Sequence, residues 1–172
     1  MTSLYAPPIG DMAFCVVPLW NPAAPSGHLT SIFITTGFLG ISSLSREFFY
    51  VRDGKTWKDA QLYCRTTYTD LATIDSMNEK TRAKGNVDFL YIGSVWIGLT
   101  KVGYIHWGWS MGENTLSDYN NWNKEQPDNS FLEGHCGAIS QINGYWSSVS
   151  CLEILNFACQ CFVFQLQFLH LF

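Results

Sequence analysis

Hydrophobic and polar positions alternate clearly enough along the middle of this chain to predict its elements one by one. Phe48-Phe49-Tyr50-Val51 is aromatic and β-branched, the signature of a strand, and Asp53-Gly54 predicts the turn that ends it. Helical spacing follows: Trp57, Ala60 and Cys64 share one face behind a capping-box start at Thr56 and Asp59, which points Cys64 into the core. Ser76 with Glu79 opens a second, more polar helix that Gly85 should end, with Lys80, Arg82 and Lys84 as its solvated face. Strand patterns return at Tyr91 to Leu99 and Tyr104 to Trp109, where Ile105, Trp107 and Trp109 alternate onto one face, most simply a core face. Gly112 to Glu133 is polar and irregular, and strands resume at Gly137 to Ile142 and Tyr145 to Cys151. No tandem repeat is visible, and the mixture of two helices with several short strands predicts an α+β domain.

The two ends have a different texture. Between Ala13 and Ser45 no residue carries a formal charge apart from His28, and the apolar run Ile32 to Ile41 leads into Ser42-Ser43-Leu44-Ser45. That order suits a secretory signal core with a small-residue cleavage region, although the leader is Pro-rich and lacks the usual Lys or Arg. The run is shorter than the roughly 20 apolar residues that cross a bilayer, so a membrane anchor is the alternative reading and no membrane span is predicted. Phe162 to Phe172 is apolar and uncharged, and fits an added edge strand or a sticky tail. The expected organisation is a leader over 1–45, one domain over 46–161 and a short tail over 162–172.

Composition narrows the function classes. A chain of 172 residues suits one domain with extensions. Its net charge of -4, with no Lys or Arg stripe, argues against nucleic acid as a partner. Seven Trp and 8 Tyr fit a loop-rich core built on large rings. Six cysteines point to an oxidising compartment, while leaving their pairing open. Cys159-Gln160-Cys161 with His135 lacks the spacing of a zinc site. No G-x-S-x-G elbow, H-E-x-x-H or phosphate loop is present, and His28, His106, His135 and His170 are scattered, so an enzyme is not expected.

The most informative run is Trp122-Asn123-Lys124-Glu125-Gln126-Pro127-Asp128-Asn129. Around it stand Trp57 to Cys64, Leu71-Ala72-Thr73-Ile74, Trp96-Ile97-Gly98-Leu99, Trp107-Gly108-Trp109 and Tyr119-Asn120-Asn121-Trp122, followed by Cys136, Trp146, Cys151 and Cys159. From about Glu47 to Gln160 this succession resembles the C-type lectin-like family. The resemblance implies two helices, small antiparallel sheets and a long ligand loop, braced by disulfides Cys64 with Cys159 and Cys136 with Cys151. Cys15 and Cys161 are then left over, with a free thiol or an intermolecular bridge open to Cys161. Each bridge would add roughly 2–4 kcal/mol.

The resemblance also implies a calcium-borne sugar site whose ligands here are Gln126, Asp128 and Glu133. Two side-chain oxygens either side of a proline can be turned the same way if the peptide bond is cis. The chain departs from the family pattern in two places. Glu133 is displaced by one from the position two before Cys136, which is Gly134, and Ser147 and Ser148 stand after Trp146 where the family has Asn and Asp. Calcium takes about six to eight oxygens and its affinity follows their charge, so hydroxyls in place of a carboxylate weaken the site. If calcium binds, the order Gln then Asp goes in the family with galactose-type sugars. Trp122 is expected to anchor the loop.

Two functions follow as expectations. One is an extracellular, secreted lectin that binds a glycan or glycoprotein. The other is a calcium-independent domain of the same fold that binds a protein ligand through its long loops.

Overall fold

The computed structural model describes residues 40–103, 106–112, 116, 118–128 and 135–167. Expectations for the leader before residue 40, for Cys15 and for the end of the tail fall outside these residues.

The first helix forms where its cap predicts. In α1 (Trp57–Thr67) the Asp59 N–H donates to Thr56 Oγ1 at 3.3 Å, and the buried face is Trp57, Ala60 and Cys64. The Trp57 indole donates to the Ile97 carbonyl at 2.8 Å, which satisfies the polar end of a buried ring. Cys64 meets Cys159 with Cα atoms 5.4 Å apart, and Cys136 meets Cys151 at 5.1 Å, the pairing implied by the resemblance. Cys161 is disulfide-bonded as well, so it is neither a free thiol nor a competitor for Cys64.

Helix α2 (Met77–Gly85) is capped by Ser76, whose Oγ accepts from the Glu79 N–H at 3.3 Å. Its basic residues are more than a solvated face. Arg82 reaches Glu47 at 2.8 Å and lies over the Phe48 ring, Lys84 donates to the Ile142 carbonyl at 3.2 Å, and Lys80 stands 5.7 Å over the Tyr145 ring. The partners come from strands and turns distant in sequence, which helical periodicity does not report.

Arg46 closes the other side of α2 against two carboxylates, Asp75 at 2.9 Å and Glu79 at 2.7 Å. Burial, followed by the hydrogen bond with Asp75, raises Glu79 above the ordinary carboxylate range. Burial also pushes Asp75 up, but its hydrogen bonds with Glu79 and Arg46 and the arginine charge outweigh that and lower it. A raised carboxylate binds protons more readily folded than unfolded, so Glu79 favours the fold below the unfolded value and loses that contribution as pH rises through the folded value. Asp75 acts oppositely, its contribution being lost as pH falls through its lowered value. Removing the shared cation should matter most when both are ionised. Arg46→Met is expected to cost about 1–3 kcal/mol at pH 7 and clearly less near pH 4, as urea unfolding at the two pH values would show.

The strands form one mixed sheet around these helices. Its order is β1 (Gly40–Lys55), β7 (Leu155–Gln167), β3 (Ser94–Val102), β5 (His135–Ser140), β6 (Trp146–Ser150), with β2 (Asp70–Leu71) on β7 and β4 (His106–Trp109) on β3. The expected small antiparallel sheets are joined by a short parallel step, Val95 opposite Asn156 and Trp96 opposite Phe157. Asp53-Gly54 is no terminal turn. Strand β1 bulges there between Val51 and Lys55 because β7 still offers Leu155 as a partner. A Cβ on Gly54 would come within 2.8 Å of Ile154 Cγ2, so a larger residue there would displace that side chain.

The β1–β7 ladder runs from Gly40 opposite Gln167, past the boundaries expected near residues 45 and 162. Residues 162–167 therefore pair as strand with residues 40–46. Trp96, Phe157 and Leu71 are fully buried between α1 and the sheet, and the Trp96 indole donates to the Lys55 carbonyl at 2.9 Å. A second cluster, around Ile97, Leu99, Trp109 and Trp146, lies under the long polar segment.

Candidate functional site

The long polar segment stands on a base of aromatic rings. Trp146, at the start of β6, is wholly buried and meets Trp109, Tyr119 and Trp122 edge to face at centroid distances of 5.5, 5.8 and 5.7 Å. Trp107 packs on Trp122 at 4.7 Å. Trp122 is thus a loop anchor, and Trp107 and Trp109 serve packing, as alternation predicted. The indole nitrogens of Trp107, Trp109 and Trp146 and the Tyr119 hydroxyl are buried without a hydrogen-bond partner among the described residues. Burial accordingly raises the Tyr119 pKa.

Backbone pairing ties the loop to β6. The Trp146 N–H donates to the Asn121 carbonyl at 2.8 Å, the Asn123 N–H donates to the Trp146 carbonyl at 2.9 Å, and the Asn121 amide donates to the Gly144 carbonyl at 2.6 Å. The chain then turns: the Gln126 N–H bonds the Asn123 carbonyl at 3.1 Å, Glu125 takes a φ of 63°, and Gln126-Pro127 is cis. Asn120, Asn123, Lys124 and Glu125 are exposed along this turn.

Gln126 and Asp128 come together as predicted, but the Gln126 side-chain oxygen turns inward. It accepts from the Asp128 N–H at 3.2 Å, the Ser148 N–H at 2.8 Å and the Ser148 hydroxyl at 2.9 Å. The same hydroxyl lies 3.0 Å from the Asp128 carbonyl, so its single proton is shared between two acceptors. Ser148 is only 6% exposed. Glu133 lies outside the described residues. Sequence reasoning placed Ser148 only as a missing metal ligand; the signal for its actual role was a hydroxyl residue where an acid is expected.

The described residues do not fit calcium at this loop. A cation at the Gln126 oxygen would face the positive ends of two N–H groups and one O–H, and only an acceptor-rich shell stabilises a hard divalent ion. Among the described residues no three His, Cys, Asp or Glu side chains converge. His135 is buried in β5 with its ring against Trp107, a packing position. Cys136–Cys151 ties the start of β5 to the turn that follows β6, which fixes the strand pair carrying Ser148.

A family model described as the lectin C-type domain matches residues 53–161. A C-type lectin galactose-binding isoform from Pseudechis australis is 38% identical over 117 residues, which is 63% of this chain and 72% of that protein. A C-type lectin mannose-binding isoform from Oxyuranus scutellatus is 33% identical over 116 residues, again 63% and 72% of the two chains. Among solved structures, the carbohydrate-recognition domain of the mouse scavenger receptor C-type lectin superposes with a TM-score of 0.59 at 30% identity, over 67% of this chain and 88% of that one.

Proposed function

We propose, from the premise that this chain belongs to the C-type lectin domain family, that it binds a glycan or glycoprotein outside the cell through the loop from Tyr119 to Asp128. The observation that carries this reading is the Gln126-Pro127-Asp128 turn, held on a rigid aromatic base with Asn120, Asn123, Lys124 and Glu125 exposed beside it. Such a turn offers a sugar what its hydroxyls need. The Asp128 carboxylate accepts, and the Gln126 amide nitrogen donates because its oxygen is already engaged. Galactose is the first sugar to test, given a relative that carries that name. Secretion suits the disulfides, which persist in oxidising compartments. Binding rather than catalysis is the activity proposed.

The intact chain should be retained on immobilised galactose and displaced by the free sugar. Asp128→Ala should weaken that retention by about tenfold or more, the loss expected when a charged acceptor is removed from hydrogen bonds of about 1.5–3 kcal/mol. A folded chain retained on neither galactose nor mannose would retire the glycan reading. The second reading, a protein ligand bound without metal, is favoured by the inward Gln126 oxygen and the serines at 147 and 148. It would then take precedence.

A further inference from the structure

The loop lies along an otherwise open edge. Strand β6 ends the sheet order and has β5 on one side, with Gly137 opposite Ser148 and Ile139 opposite Trp146. On its other side Trp146 exchanges two backbone bonds with Asn121 and Asn123, and two residues further along the Ser148 N–H would be the next unpaired donor. An edge donor that is buried and left unpaired loses its water without gaining a partner, which destabilises the fold. The Gln126 side-chain oxygen meets it at 2.8 Å. A glutamine amide here stands in for the backbone carbonyl that a neighbouring strand would supply.

We propose that Ser148 is a positioning residue that sets the Gln126-Pro127-Asp128 turn without any divalent cation. Its N–H and hydroxyl gather the Gln126 oxygen and the Asp128 carbonyl at one point, so three bonds converge where a metal would otherwise organise the same segment. Ser148 is itself held, in a strand paired with β5 and beside the Cys136–Cys151 bridge. The latch therefore hangs from the rigid part of the molecule, and the turn keeps its shape whichever ligand it takes. The inference does not depend on the glycan reading: retention on sugar and the state of the turn are measured separately, so either can fail while the other stands.

The test is hydrogen exchange of the intact chain, read peptide by peptide, alongside its Tm, each in calcium and in excess EDTA. For the unaltered chain both readouts should be the same in the two buffers. Ser148→Ala should speed exchange across residues 119–128 by about tenfold or more in both buffers, leave the β1 and β7 peptides unchanged, and lower Tm by about 5 °C. Gln126→Met should reproduce this from the loop side and carries the test if Ser148→Ala does not fold. Gln126→Glu keeps the acceptor and should restore protection to within about twofold of the unaltered chain. Slower exchange of the turn in calcium than in EDTA, or unchanged exchange in Ser148→Ala and Gln126→Met, would overturn the proposal.

Discussion

A chain with both Cys64 and Cys159 replaced by alanine is expected to lose about 4–5 kcal/mol of unfolding free energy. The bridge joins residues 95 apart in sequence, so cutting it returns to the unfolded chain most of the loop entropy of a whole domain. Both sulfurs are fully buried between α1 and β7, and two small cavities add to the loss. Domains of this size have only about 5–15 kcal/mol in total, so the variant should be marginal at physiological temperature. Replacing Cys136 and Cys151 opens a loop with a separation of only 15 and should cost about 3 kcal/mol. Urea unfolding distinguishes the two through midpoint and slope, the slope rising more for the longer loop as the unfolded chain expands. Equal losses would mean that local packing, and not chain entropy, sets the contribution of these bridges.

Trp146→Ala should cost about 3–5 kcal/mol and detach the candidate ligand loop. The ring is wholly buried and touches Trp109, Tyr119 and Trp122 edge to face, pairs each adding about 0.5–1.5 kcal/mol beyond their buried area. Losing it leaves the Asn121 to Asn123 segment pairing with a backbone that no longer has a packed side chain beneath it. Near-ultraviolet circular dichroism should collapse more than the far-ultraviolet signal, and any glycan retention should go with it. Trp146→Phe is the informative comparison. The indole nitrogen has no hydrogen-bond partner among the described residues, so phenylalanine keeps most ring contacts while discarding a buried donor, and the cost should stay below about 2 kcal/mol. A phenylalanine variant as damaged as the alanine one would show that the indole nitrogen is bonded, for instance to an internal water.

Much of this molecule was legible before its structure. Thr56 with Asp59 and Ser76 with Glu79 announced both helices because a cap is a contact between residues three apart. The alternation of Trp107 and Trp109 and the irregular polar stretch before Glu133 located the packed base and the candidate ligand loop. The disulfide pairs came from family resemblance. Asp53-Gly54 misled because the same dipeptide serves a turn or a bulge, and the choice was made by Leu155 on the opposite strand. Lys80 and Lys84 looked solvated because their partners, Tyr145 and Ile142, are far away along the chain.

The candidate ligand loop divides in the same way. Sequence alone determined that Gln126 and Asp128 flank a proline, that Ser147 and Ser148 follow Trp146, and hence that the oxygens available carry little charge. It could not determine which way the Gln126 oxygen points, since that depends on a donor 22 residues away on the edge of β6. Short-range order is written in caps and periodicity because its partners are neighbours in the chain. The direction of a single amide was decided only when tertiary folding brought the buried Ser148 N–H and hydroxyl beside it.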